Sequence, residues 1–188
     1  MSVTALDAQT ALVVDDLQQG VIGSRFVHSI AEVTSQTRSL IEAFRRNELP
    51  VVLVHVAGGA PGRAEQTRRR QALPEGWTDL IPELNLKPSD ILVTKRTWGA
   101  FASTDLEARL KQKAVTQVVI TGVATGTGVE STARQAYEQG FKVTLAIDSM
   151  TDLCTEAHTY SATHVFPRLG ETGTTQQIID LLAPRSVS

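Results

Sequence analysis

Three stretches carry residue types that could do chemistry. ALVVDDLQQG puts Asp15 and Asp16 at the end of an apolar run, and ILVTKRTWGAF puts Lys95 at the end of another. VVITGVATGTGVESTAR runs from an apolar strand through a glycine-rich turn, residues 124–128, into the start of a helix. A lysine beside a carboxylate holds it ionised or tunes it for proton transfer. Asp16, Lys95 and this turn therefore form a candidate acid–base site, with a structural ion pair or two unrelated surface charges as the bland alternative. Successive strand side chains point to opposite faces, so Asp15 and Asp16 are expected not to share one site.

The glycine-rich turn also admits a dinucleotide-binding reading. A strand precedes it, a helix follows, and Asp148 ends the next strand, where a ribose-binding acid belongs. Against this, four strands precede the turn, so it does not open a mononucleotide-binding half. Too little chain follows Gly128 for a substrate-binding half, and Tyr160 is followed by His164 rather than by a lysine. No cofactor is expected.

The elements that must position these groups alternate between strand and helix. Residues 11–15, 51–56, 91–93, 117–121 and 142–147 are rich in Val, Ile and Leu without alternation, as in strands covered on both faces. Residues 30–47 place Ile30, Val33, Thr37, Leu40, Ile41 and Phe44 on one helical stripe. Shorter helices are expected at 105–113 and 131–139, the latter stopped by Gly140. A weaker sixth strand around 162–166 precedes a closing helix at 174–182, with residues 166–173 as a turn between them. The pattern predicts an α/β fold, a three-layer α/β/α sandwich with a six-stranded, mainly parallel, Rossmann-like sheet. Residues 1–188 read as a single domain. The loop 57–90 leaves the carboxyl end of a strand, where ligands bind in such sheets, and is expected to form a lid or pocket wall.

Composition narrows the partners. The 188 residues are 41% hydrophobic and 20% charged with a net charge of −2, a globular balance that gives nucleic acid or an anionic membrane nothing to hold. The basic cluster Arg63, Arg68, Arg69 and Arg70 lacks interleaved aromatics and reads as a solvated face. A single cysteine excludes an internal disulfide. With no apolar run long enough to span a bilayer and no signal-like N-terminus, a cytoplasmic protein is expected. His55 is flanked by apolar residues and reads as a packed histidine. His158 and His164 fit no common ligand spacing, so no metal is expected. Cys154 reads as an inert thiol rather than a nucleophile.

Taken together, the three opening stretches resemble the isochorismatase-like, or cysteine hydrolase, superfamily. ALVVDDLQQGVI is similar to its first strand and selects Asp16 over Asp15. VTKRTWGAFASTDLEARL is similar to its lysine segment and selects Lys95. ITGVATGTGVESTARQAYEQG is similar to its nucleophile turn. The resemblance covers roughly residues 11–182 and implies a cis Val123–Ala124 peptide, with backbone donors at Val123, Ala124 and Gly128. It departs at one point: where amidase members carry the nucleophilic cysteine, this sequence has Gly128, and glycine cannot form a covalent intermediate. What the resemblance then implies is a hydrolase acting on a small polar metabolite by Asp16/Lys95 acid–base catalysis. Gln18, Trp98, Phe101 and Arg63, with Trp77, are candidates for the pocket. The competing reading is a non-catalytic small-molecule binder or scaffold on the same fold. A homodimer or homotetramer is expected by resemblance.

Overall fold

The computed structural model describes residues 2–65 and 72–182. Six strands form one sheet: β1 (Thr10–Asp15), β2 (Val51–Val56), β3 (Ile91–Lys95), β4 (Gln117–Val123), β5 (Lys142–Thr151) and β6 (Glu171–Gly173). Their order is β3-β2-β1-β4-β5-β6 and every pairing is parallel. This is the doubly wound arrangement in which the strand order reverses beside the first strand and ligands bind at the carboxyl ends there. Asp15 and Asp16 sit at that point.

Helices cover both faces because each central strand buries both of its own. On β1, Ala11 and Val13 join one apolar core and Leu12 and Val14 join the other. The first core is closed by α3 (Leu106–Gln112) and α4 (Glu130–Glu138). The second is closed by the long helix α2 (Ile30–Arg46) through Val33, Leu40, Ile41 and Phe44, and by α7 (Thr175–Leu182) through Ile178. A four-residue helix, α1 (Gln19–Ile22), follows β1. Ser29 caps α2 by accepting a hydrogen bond from the Glu32 amide at 3.4 Å, and Gly140 follows α4 with φ of 84°, as the amphipathic stripe and glycine stop predict.

The C-terminal third differs from expectation. Residues 162–166 are helical, between α5 (Thr155–Tyr160) and α6 (Phe166–Leu169), and the sixth strand is the short segment Glu171–Gly173. β-branched residues in 161–166 invite a strand reading. Their burial, however, follows a helical period: Ser161, Val165 and Phe166 are buried while Thr163 and His164 face out. What was expected to be a turn, residues 166–173, is thus a turn of helix followed by β6. β5 runs on to Thr151 through an irregularity in its pairing with β4. That irregularity turns Asp148 toward α7, whose Thr175 amide and hydroxyl donate to Asp148 Oδ1 at 2.7 and 2.9 Å. Asp148 is committed to capping a helix, which removes the ribose-binding acid of the dinucleotide reading.

Gly122 marks a tight approach between two strands of the sheet. It pairs with Asp15, has φ of 118°, and a Cβ there would lie 2.0 Å from the Asp15 carbonyl oxygen. Gly122→Ala adds left-handed strain to a backbone clash and should cost about 2–5 kcal/mol, read as a lowered midpoint in equilibrium denaturation.

Candidate functional site

Strand parity builds half of the site. Ile91 and Val93 face the same core as Ala11 and Val13, so Lys95 and Asp15, two residues further along each strand, emerge on that same side. Both are fully buried. Lys95 Nζ donates to Asp15 Oδ1, to Asp16 Oδ2 at 2.9 Å and to the Trp98 carbonyl at 2.7 Å. All three ammonium protons are thereby used. Asp15 Oδ2 accepts from the Thr132 hydroxyl of α4 at 2.6 Å, and that hydroxyl accepts from the Ala100 amide at 3.0 Å.

The expectation that Asp15 and Asp16 cannot face one site fails for a local reason. The strand ends at Asp15, and Asp16 has φ of 53°. Strand alternation no longer applies to a residue in the left-handed region, and the Asp16 carboxyl swings round to meet Lys95. Asp16 is 8% exposed, and its Oδ1 is buried without a hydrogen-bond partner. Burial first, then the charge of Asp15, push the Asp16 carboxyl up to about 8 against the opposing pull of Lys95. The Lys95 ammonium is held above its usual range because Asp15 and Asp16 together outweigh the cost of burying it.

The glycine-rich turn closes over this pair. The Val123–Ala124 peptide is cis, and residues Thr125–Val129 wind a wide helical turn into α4. The Thr127 and Val129 amides bend back to the Ala124 carbonyl at 3.1 and 3.2 Å, and the Gly126 amide donates to Asp152 Oδ2 at 2.6 Å. Gly128 lies directly over the charged groups: a Cβ built there would be 3.3 Å from Asp16 Oδ2, Lys95 Nζ and the Val123 carbonyl oxygen alike. Asp16, Lys95, Val123 and Gly128 therefore meet around one point, with Ala124 opening the same turn.

The sequence that folds into this sheet matches the isochorismatase domain over residues 10–177. The chain belongs to the isochorismatase family of hydrolases. It is 33% identical to the isochorismatase family protein YwoC of Bacillus subtilis, over 96% of this chain and 98% of that one. It is 36% identical to YecD of Escherichia coli, over 92% and 96% respectively. A solved isochorismatase family structure from Burkholderia thailandensis superposes with a TM-score of 0.92 at 36% identity, covering 96% of this chain and 99% of that one.

In this isochorismatase-family chain the remaining pocket candidates are placed as follows. Gln18 is fully buried, with Nε2 donating to the Val56 and Trp77 carbonyls, each at 3.1 Å, and Oε1 accepting from the Val56 amide at 2.7 Å. Both of its donor hydrogens clasp backbone, so it fastens the 57–90 loop to the sheet. Trp77 packs its ring on Gly20 and borders a surface depression of about 360 Å³ with Glu75 and Asp79. Phe101 is buried in the core against Phe141, with ring centroids 5.8 Å apart. The Trp98 side chain is 69% exposed, and its contribution is the carbonyl that holds Lys95. Arg63 is exposed on the loop, while Arg68, Arg69 and Arg70 lie outside the described residues.

Other titratable groups are engaged apart from Asp16. His55 Nδ1 meets the Thr78 carbonyl and Nε2 the Thr94 hydroxyl, both at 2.6 Å; a carbonyl only accepts, so Nδ1 carries the hydrogen. His158 Nδ1 contacts the Thr125 hydroxyl at 2.9 Å, and His164 stacks on Tyr160. Cys154 is exposed and donates to Glu156 Oε2 at 3.0 Å. Among the described residues no cluster of three or more His, Cys, Asp or Glu is placed to hold a metal, and no helix is long and apolar enough to cross a membrane. Sequence reasoning missed Asp15, Thr132 and the Trp98 carbonyl. The parity of Ile91, Val93 and Lys95 against Ala11, Val13 and Asp15 was the available signal for the first.

A carboxyl whose folded-state value is raised binds its proton more tightly in the native than in the unfolded chain. Its contribution to stability is therefore full below about pH 4 and lost as pH rises toward 8. Asp16→Asn removes that loss, so its stability relative to the parent should rise between pH 4 and 8 and then level off, as measured by denaturation at a series of pH values.

Proposed function

We propose that the protein hydrolyses a small polar metabolite by acid–base chemistry at Asp16 and Lys95, with no covalent enzyme intermediate. The observation that carries this reading is the Asp16 carboxyl itself. It is nearly buried, is paired with Lys95 through Oδ2 alone, and has Oδ1 without a hydrogen-bond partner, and burial with the Asp15 charge pushes it up to about 8. A buried acid poised near the working pH is suited to proton donation. Gly128, in the position where the family resemblance leads one to expect a cysteine, offers no nucleophile over it.

The substrate chemistry that fits is an enol ether, such as one bearing a carboxylate. Asp16 gives its proton to the enol carbon, which leaves an oxocarbenium ion. Lys95 stabilises the carboxylate left on Asp16. Water adds to the cation and loses a proton back to Asp16, and the resulting hemiketal collapses to a ketone and an alcohol. Overall, one water is consumed and one C–O bond is broken, and the enzyme returns to its starting state.

A second reading, a small-molecule binder without turnover, draws support from the enclosure of the charged groups: Lys95 is fully buried and Asp16 nearly so.

The deciding experiment assays purified protein against isochorismate, nicotinamide and an N-carbamoyl amide. Turnover of the enol ether, reduced about 10²–10⁴-fold by Asp16→Asn, is the expected result, with kcat/KM falling as pH rises through about 8. Cys154→Ser should leave the rate unchanged. Turnover indifferent to Asp16→Asn overturns the mechanism, and saturable binding without product supports the second reading.

A further inference from the structure

We propose that Asp15 is a positioning residue that keeps the reactive proton on Asp16, by claiming the charge of Lys95 for itself. This rests on the reading of Asp16 as the proton donor given above. The two neighbouring carboxyls compete for one buried ammonium, and their surroundings are unequal. Asp15 is fully enclosed, and both of its oxygens accept: Oδ1 from Lys95, Oδ2 from Thr132 at 2.6 Å. The Thr132 hydroxyl accepts from the Ala100 amide at 3.0 Å and gives its single hydrogen to Asp15, an arrangement that favours charge on Asp15.

Asp16 is placed the other way. One oxygen accepts from Lys95 at 2.9 Å, and the other has no partner. One ammonium neutralises one carboxylate. A second buried carboxylate would leave an uncompensated negative charge, which proteins avoid by retaining a proton. That proton belongs on the carboxyl with the unclaimed oxygen, Asp16 Oδ1. Around Asp16, the glycine-rich turn presents the Val123 carbonyl and Gly128, the buried Asp152 is engaged by the Gly126 amide of that turn, and Glu130 at the head of α4 is engaged by Arg134 and Ser161. The direction of the Asp16 shift, raised by burial and by the Asp15 charge and lowered by Lys95, accords with this division.

The test follows the Asp16 carboxyl directly, by ¹³C NMR of protein labelled at aspartate carboxyls, with the resonance assigned through its loss in Asp16→Asn. In the parent protein Asp16 should remain protonated at neutral pH and titrate near 8. In Asp15→Asn the ammonium has one carboxylate left to serve, and the Asp16 titration should fall by at least about one pH unit, a tenfold loss of proton affinity. Thr132→Val, which removes the hydrogen bond that favours charge on Asp15 while keeping both acids, should move it the same way by less, as the pair shares the proton. An Asp16 titration unmoved in a folded Asp15→Asn protein overturns the proposal. If that variant fails to fold, an unmoved titration in Thr132→Val does so. The readout is independent of turnover: a titration that moves as expected in a protein that turns over no substrate refutes the acid–base function and leaves the role of Asp15 standing.

Discussion

A lysine ammonium without access to water must find three acceptors inside the protein, and the architecture of this molecule converges on supplying them to Lys95. Two come from consecutive aspartates at the end of the central strand and the third from the Trp98 carbonyl. An unpaired buried charge would cost several kcal/mol, so the loop after β3, the end of β1 and the start of α4 cannot be moved independently. Gly122 lets β4 press against the Asp15 backbone. Thr132 ties α4 to the same carboxylate that β3 reaches through its lysine. The strands, the turn and the helix meet at one electrostatic knot.

The proposed acid–base chemistry rests on an imbalance within that knot. There are two acids and one base, with Asp15 and Lys95 fully buried and Asp16 nearly so. The group that loses the competition keeps its proton, and the geometry determines which group that is. The carboxyl with two donors is locked as the counter-ion, whereas the carboxyl held by a single oxygen remains available for proton transfer. An enzyme that protonates a carbon needs an acid that is neutral at working pH, yet becomes tolerable as an anion once the proton has left. Lys95 at 2.9 Å meets the second requirement without abolishing the first.

The absence of a side chain at Gly128 belongs to the same arrangement. The point where a Cβ would stand is 3.3 Å from Asp16 Oδ2, Lys95 Nζ and the Val123 carbonyl, so the turn can settle closely onto the ion pair. The turn also spends its Gly126, Thr127 and Val129 amides on internal acceptors. A side chain at position 128 would have to share the small volume that the acid and the lysine occupy.

Most of the fold was legible in the sequence because burial leaves a residue-level record. Apolar strands, the stripe Val33–Thr37–Leu40–Phe44 and the Gly140 stop each report a local environment, and the order of the segments implied a doubly wound sheet. Residues 161–166 misled because β-branched content speaks for a strand, while their burial against the core has a helical period that only packing reveals. That an aspartate at the end of β1 and Lys95 would come together was likewise readable, since both follow apolar runs, whereas the choice of Asp16 over Asp15 came from the family resemblance. The place of Asp15 beside Asp16 and Lys95 was not readable. Alternation set the two aspartates on opposite faces, and the rule fails only because Asp16 takes a left-handed backbone at the last turn of the strand. Gln18, Trp98 and Phe101 were recognisable as unusual residues near the site, but their roles depend on which way each side chain turns. Residue types and spacing thus determined the elements and the chemistry on offer. Tertiary structure alone decided which of two adjacent carboxyls keeps the proton, because that depends on how many donors surround each one, and those donors come from segments far apart in the chain.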